Sequence, residues 1–248
     1  MSRLSALAAT EARLLTRDWT VVVFAFVFPA FVMLILAGVF GNEPDEGYAN
    51  RRPDDYYVAA SIGVVLTALA LVGLPVALAS YRERGVLRRF EAFGVSAAKV
   101  VSAQAAVTAG LVFLGAVIVL AVAAPTYGIP EIERPGQTAL GLAAGTITLL
   151  LLGTMIGLAA PTARAAQAIG LLAFFPLYLL GGGGPPKGAM TDSMQTLSDL
   201  LPSPITVISD PWLGVSDAGT QLAALAAWSA VALLAIAWLV RRGTASAS

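Results

Sequence analysis

A charged stretch between two long apolar runs, YRERGVLRRFEAFGVSAAK (residues 81–99), decides how this chain is organised. Read as a helix over residues 82–98, it carries apolar side chains at i, i+3, i+4 and i+7 spacing, with its charges mainly off that stripe. Such a helix can lie along a membrane surface or offer one face to a soluble partner. The stripe consists of Val86, Leu87, Phe90, Phe93 and Ala97, and the charges are Arg82, Glu83, Arg84, Arg88, Arg89 and Glu91.

The composition of the chain is that of a membrane protein. Of its 248 residues 58% are hydrophobic and only 12% are charged, whereas a soluble domain carries about 25% charged residues. The net charge is zero, so the chain has no basic footprint for nucleic acid. It contains no Cys and no His, which removes thiolate chemistry and the commonest metal ligand and general base.

Six apolar segments are long enough to cross a bilayer, since a helical span needs roughly 20 apolar residues. None of them contains Asp, Glu, Lys or Arg in its interior. The sequence therefore predicts an all-α integral membrane protein with a single transmembrane domain over residues 1–248. The predicted spans are residues 19–40, 57–79, 100–124, 138–160, 165–180 and 220–240.

The positive charges predict which way the spans run. With six spans both termini lie on one side, and 11 of the 15 Lys and Arg residues fall on that side against 4 on the other. An excess of Lys and Arg marks cytoplasmic loops. We therefore expect both termini and residues 81–99 to be cytoplasmic.

Three regions do not fit a span. Residues 3–17 suit an amphipathic helix at the cytoplasmic interface, or a basic lead that only sets topology. Residues 41–56 form a polar outer connection. Residues 185–213 are too apolar for a solvated loop and too rich in Pro for a span. We expect short re-entrant helices there that seal a pathway or pack on a second subunit, or else an interfacial loop anchored by Trp212.

Small residues recur at four-residue spacing in the fourth span. Gly141 and Gly145 form one GxxxG pair, and Gly153 and Gly157 form another. This pattern allows close approach of helices in a membrane. Ordinary packing is the simpler interpretation, because such pairs are common in spans rich in Gly and Ala.

The sequence excludes several kinds of enzyme. The nearest approach to a phosphate-binding GxxxxGK[ST] loop is residues 181–188, where Lys187 follows Pro186 and precedes Gly188. A serine protease would need a His, and an ion-coupled carrier usually places ionisable residues inside its spans. What remains is a pathway driven by an energy source outside this chain, or a membrane protein with no transport role.

The order of motifs resembles one family of transporters. The chain carries a lead segment, six spans, RERGVLRRF (residues 82–90) after the second span, and Leu201-Pro202-Ser203-Pro204 before the last. It is similar to permease subunits of the type-two ABC exporter class, which include daunorubicin-resistance-type exporters. Glu83, Gly85, Leu87 and Arg89 match that family's E-x-G-[TV]-L-x-R-like stretch. Phe93-Gly94-Val95 stands where a Pro would be expected.

The resemblance implies that residues 82–98 form a coupling helix that docks into a separate cytoplasmic ATPase. Two such ATPase subunits would bind ATP and Mg, and this chain itself would need no cofactor or metal. A second copy of the permease, forming a homodimer in a bacterial cytoplasmic membrane, would complete the pathway. The residues expected to bind the ATPase are Glu83, Gly85, Leu87, Arg88, Arg89, Phe90 and Glu91.

An apolar lining from the first, second and fifth spans would suit a hydrophobic or amphipathic cargo such as a drug or lipid. An ion-extrusion permease of the same class and a non-transport protein that binds a partner remain alternatives, and the arginines could instead bind anionic lipid. Large apolar side chains in a membrane span more often pack within the protein or face lipid than contact cargo. The candidate lining residues are Phe24, Phe28, Met33, Leu66, Leu69, Phe174, Phe175 and Tyr178.

Overall fold

The computed structural model describes residues 23–245, and within them the chain is helical with no strand, which confirms the predicted all-α class. A π-helical turn, Val23–Val27, leads into the first α-helix, and a second π-helical segment, Leu69–Gly73, joins α2 to α3 in one continuous helix. Residues 3–17 lie outside the described residues. The α-helices are α1 (Phe28–Phe40), α2 (Pro53–Ala68), α3 (Leu74–Glu83), α4 (Val86–Ala92), α5 (Ala97–Ala123), α6 (Pro135–Ala159), α7 (Ala163–Leu180), α8 (Asp192–Leu200), α9 (Pro204–Trp212) and α10 (Gly219–Ala245).

Five helices of the described chain are long and apolar enough to cross a membrane, and α1 is a shorter apolar helix. The five fall where the second to sixth spans were predicted, and residues 19–22 of the first lie outside the described part. The second span is longer than predicted and covers Pro53–Glu83. Pro53 occupies the first turn and Asp54 and Asp55 follow it, because Pro fits a helix start and acidic side chains favour the positive end of the helix dipole.

The helix Pro53–Glu83 lies at the centre of the protein. In its most apolar 18-residue window 83% of the residues are buried, against 11% for the last span, Gly219–Arg241. Helices α1, α5, α6, α7 and α9 all pack against it. The position of this central helix therefore determines where the charged residues that follow it lie on the protein surface.

Glycines allow two elements to approach the backbone of α6 closely. A Cβ on Gly141 would lie 2.2 Å from the carbonyl oxygen of Val207 in α9, and one on Gly153 would lie 1.9 Å from that of Ala70. Gly145 and Gly157 make similarly close contacts with α9 and α3. Each GxxxG pair thus accommodates a helix of the same chain, which agrees with the packing interpretation.

At the end of the bundle where the second span begins, hydroxyl groups hold a glycine-rich turn. Ser203 Oγ donates to the carbonyl oxygen of Gly181 at 3.0 Å, Tyr56 OH to that of Gly182 at 2.9 Å, and Tyr57 OH to that of Gly184 at 3.0 Å. These bonds satisfy carbonyl groups that leave the helical pattern. The turn is thereby tied to both α2 and α9.

Residues 185–213 fold into the 3-10 turn Lys187–Ala189 and the short helices α8 and α9. Every residue of α9 is buried, which explains why this loop is so apolar. Trp212 is 5% exposed and its Nε1 donates to the carbonyl oxygen of Pro130 at 3.0 Å. Its side chain is therefore held within the protein and is not available as the headgroup anchor considered above.

Asp210 is a buried acid in α9, 8% exposed. Burial raises the pKa of Asp210 to about 6, although the hydrogen bond from Ser216 and the charge of Lys187 oppose that rise. The Ser216 Oγ atom donates to Asp210 Oδ2 at 3.0 Å. Because the folded chain holds this proton more tightly than the unfolded chain, stability should decrease as pH rises through the interval between the two pKa values.

We expect Gly153→Ala to destabilise the protein by about 1–3 kcal/mol, because the added methyl group meets the Ala70 backbone rather than a movable side chain. Gly110→Ala is the matched control, since a Cβ there meets nothing within 4 Å. Thermal unfolding of the detergent-solubilised variants compares them. Equal midpoints for the two variants would contradict the close helix contact.

We also expect the free energy of unfolding to fall by up to about 3 kcal/mol between pH 4 and pH 6. This interval runs from the ordinary pKa of the acid, 3.8, to the pKa of Asp210 in the folded chain, about 6. Asp210→Asn should remove most of this decrease, because it removes the titrating group. Denaturant unfolding in detergent across that pH range measures the difference. Asp192→Asn, at an exposed position in the first turn of α8, should leave the decrease unchanged.

Candidate functional site

The charged stretch after the second span is bent, not one continuous helix. Helix α3 ends at Glu83, and Gly85 adopts a left-handed conformation with φ of 68°. Gly tolerates this conformation because it has no Cβ. The single helix predicted over residues 82–98 is therefore divided among the end of α3, the separate helix α4 (Val86–Ala92) and the start of α5.

A second glycine turns the chain at the other end of α4. Gly94 has φ of 78°, its N–H donates to the Glu91 carbonyl at 2.9 Å, and the Val95 N–H donates to the Phe90 carbonyl at 2.9 Å. These are the two hydrogen bonds of a Schellman motif. Gly94 ends α4 at the place where the family resemblance led us to expect a Pro.

The two faces of α4 differ in exposure. It contacts α3 and α5, and Leu87 and Phe90 are half-buried. Arg88, Arg89 and Glu91 are exposed. Phe93 follows the helix and is 82% exposed. It belonged to the predicted apolar stripe but not to the predicted partner-binding residues, and its exposure depends on the turn at Gly94.

Arg82 binds the end of another helix. Its Nη1 donates to the carbonyl oxygens of Gly157 at 3.3 Å and Ala160 at 3.2 Å, and also to that of Leu158. The last carbonyls of an α-helix have no partner within the helix, and a cation there meets the negative end of the helix dipole. Arg82 therefore caps the C-terminus of α6.

Glu83 binds the start of the next helix. Its Oε2 accepts a hydrogen bond from the N–H of Ala163, the first residue of α7, at 3.0 Å. Thr162 Oγ1 accepts another from the Ala165 N–H at 3.1 Å. The resemblance places Glu83 among the residues that bind the ATPase, whereas in this structure its carboxylate has a partner within its own chain.

These elements enclose an open cleft of about 420 Å³. Five of the predicted partner-binding residues line it, while Arg89 and Phe90 do not. Pro161 contributes from a loop far away in sequence, which no local pattern could reveal. In the part of the chain described, no group of His, Cys, Asp or Glu could hold a metal ion. The lining residues are Arg82, Glu83, Gly85, Leu87, Arg88, Glu91 and Pro161.

The predicted cargo-lining residues mostly pack inside the chain. Met33, Leu66, Leu69 and Phe174 are at most 2% exposed, whereas Phe175 is 48% exposed. The side chain of Phe24 lies outside what the structure describes.

Aromatic rings connect Phe174 to the two remaining candidates, Phe28 and Tyr178. The ring of Phe174 lies 6.1 Å from that of Phe28 and 5.8 Å from that of Tyr178. The structure brings these rings together as packing between α1 and α7.

Comparison with known proteins identifies the family of this chain. A family model described as ABC-2 type transporter matches residues 2–208, most of the chain. No curated protein and no solved structure matches the chain significantly. The helices, the charged element after the second span and the short helices before the last span lie in the order expected from the resemblance. The chain belongs to the ABC-2 type transporter family of multi-pass membrane permeases, whose members are transport subunits that associate with an ABC ATPase.

Proposed function

We propose that this chain is the membrane-spanning subunit of an ATP-driven exporter and that α4 with Phe93 binds its ATPase. The observation that carries the proposal is the exposure of Phe93, at 82%, beside the exposed charges of α4. Buried aromatic side chains dominate the energetics of protein interfaces. A large aromatic ring exposed at the end of a charged helix is suited to a protein groove.

The charges around Phe93 favour a protein partner over a lipid surface. Arg88 and Arg89 are accompanied by Glu91, and the cleft beside them contains carboxylates as well as guanidinium groups. Anionic lipid is attracted by clusters of positive charge, and the acidic groups would weaken that attraction. A mixed polar rim around an apolar anchor is typical of interfaces in which charge sets orientation and association rate.

The charge count supports the membrane arrangement that we propose. An excess of Lys and Arg is typical of cytoplasmic loops, which favours a cytoplasmic position for α4 and both termini, where an ATPase could reach α4. We propose a bacterial cytoplasmic membrane, a homodimer of the permease and two ATPase subunits that bind ATP and Mg. The short helices α8 and α9, with α9 fully buried, would close the outer end of the pathway.

The cargo proposed is hydrophobic or amphipathic, such as a drug or lipid. The support is the lack of ionisable residues inside the predicted spans, because ion-coupled transport usually places such residues at membrane depth. Among the candidate lining residues whose side chains the structure describes, Phe175 on α7 is the one best placed for contact beyond the protomer.

We expect the combined change Phe93→Ala and Arg89→Glu to reduce ATPase recovery at least about tenfold, since loss of an interface anchor costs about 1.4 kcal/mol or more. The measurement is affinity capture of the tagged chain from native membranes in mild detergent, followed by mass spectrometry of the soluble proteins recovered. Phe113→Ala is the control, because Phe113 is 72% exposed but lies within the third span.

Two results would contradict this proposal. One is the absence of any ATPase in the capture by the unaltered chain. The other is equal recovery of an ATPase by the double variant and by the Phe113→Ala control.

A further inference from the structure

We propose that Arg82 and Glu83 are positioning residues that fasten the ends of α3, α6 and α7 into one unit, so that displacement of α4 moves all three helices together. This inference rests on the proposed function, because it assigns the two residues a task in an ATP-driven cycle. It departs from the expectation that Glu83 contacts the ATPase.

The two residues are matched in charge to the helix ends that they bind. The Arg82 guanidinium lies at the C-terminal carbonyls of α6, and the Glu83 carboxylate lies at the N-terminal amide of Ala163 in α7. A cation belongs at the negative end of a helix dipole and an anion at the positive end. Neighbouring residues of α3 thus bind helix ends on both sides of Pro161.

The same three helices are in close contact farther from this end. A Cβ on Gly157 would lie 2.9 Å from Leu78 Cβ in α3. One on Gly170 in α7 would lie 2.1 Å from the carbonyl oxygen of Leu71, in the π-helical segment that continues into α3. Ala79, Ala160 and Ala166 form a small buried cluster beside the caps. With backbone contacts along their length, the three helices have little freedom to slide, because packed interfaces shift between discrete arrangements and do not deform smoothly.

The position of Arg82 and Glu83 along the chain connects α4 to α6 and α7. Helix α4 joins α3 through Gly85 and joins α5 through the turn at Gly94. Arg82 and Glu83 lie immediately before Gly85, so any displacement of α4 reaches α6 and α7 through them. The hydrogen bonds of Arg82 and Glu83 described above run to the ends of α6 and α7 and not to α5, so we expect α5 to shift relative to α3 when α4 is displaced.

The test uses the absence of Cys from the chain, which allows spin labels at chosen positions. One pair, Arg84→Cys with Arg164→Cys, reports the distance between α3 and α7, and a second, Arg84→Cys with Lys99→Cys, reports the distance between α3 and α5. All three positions are exposed. Distances are measured by electron paramagnetic resonance on the chain alone and on the captured ATPase complex, with and without MgATP.

With native caps we expect the 84–164 distance to stay constant on addition of MgATP, while the 84–99 distance changes. In the double variant Arg82→Ala, Glu83→Ala we expect a broader 84–164 distribution that becomes nucleotide-dependent. Capture of the ATPase should fall less in this double variant than in Phe93→Ala, because Phe93 is the proposed anchor of the interface. Glu83→Gln alone should behave like the unaltered chain, because its amide oxygen can still accept from Ala163.

Three outcomes would overturn the inference. The first is an 84–164 distance that stays narrow and constant in the double variant. The second is loss of ATPase capture by the double variant to the same extent as by Phe93→Ala, which would make the two residues direct contacts. The third is an 84–164 distance that changes with MgATP when both caps are native.

Failure of the proposed function would look different. If the unaltered chain captures no ATPase, the proposed function fails, and the 84–164 distribution of the chain alone still reports whether the caps fasten α3 to α7. A distribution that is equally narrow with and without the caps would then overturn the inference itself.

Discussion

Burial of the helix Pro53–Glu83 against the backbones of its neighbours is the contact on which the rest of the structure depends. In a membrane, helices associate largely by close packing and hydrogen bonding, since lipid tails are as apolar as the side chains. Gly153 and Gly170 remove the side chains that would separate this helix from α6 and α7. Both contacts fall at the π-helical segment Leu69–Gly73, where carbonyls of the second span meet glycines of its neighbours.

This central helix connects the two ends of the molecule. At its start, Tyr56 and Tyr57 hold the glycine-rich turn of residues 181–184. At its other end, Arg82 and Glu83 hold the helix ends around Pro161. Unpaired backbone groups are costly in a membrane. Polar side chains at both ends of the second span form hydrogen bonds with such groups in neighbouring elements. One continuous helix therefore contacts both the glycine-rich turn and the helix ends around Pro161.

Much of the fold could be predicted because hydropathy and helix length are local properties. Helices long and apolar enough to span lie where the second to sixth apolar runs indicated. The breaks at Gly85 and Gly94, which divide the helix expected over residues 82–98, were not predicted. The bond between the Glu83 carboxylate and the start of α7 could not be predicted, because Ala163 lies 80 residues away in sequence and no local pattern joins the two residues. Which residue of the apolar stripe is exposed also depends on a turn, since Phe93 lies at the turn before Gly94 and is exposed, while Phe90 in α4 stays half-buried.

The central claim, that α4 and Phe93 face an ATPase, is tested most directly by site-specific photocrosslinking in native membranes. A benzoyl-phenylalanine placed at Phe93 is compared with one at Phe113, which is similarly exposed but lies within the third span. We predict an adduct at position 93 whose peptides belong to a protein with a nucleotide-binding P-loop, and no such adduct at position 113. Adducts at position 93 that contain only lipid, or the same adducts at both positions, would contradict the account.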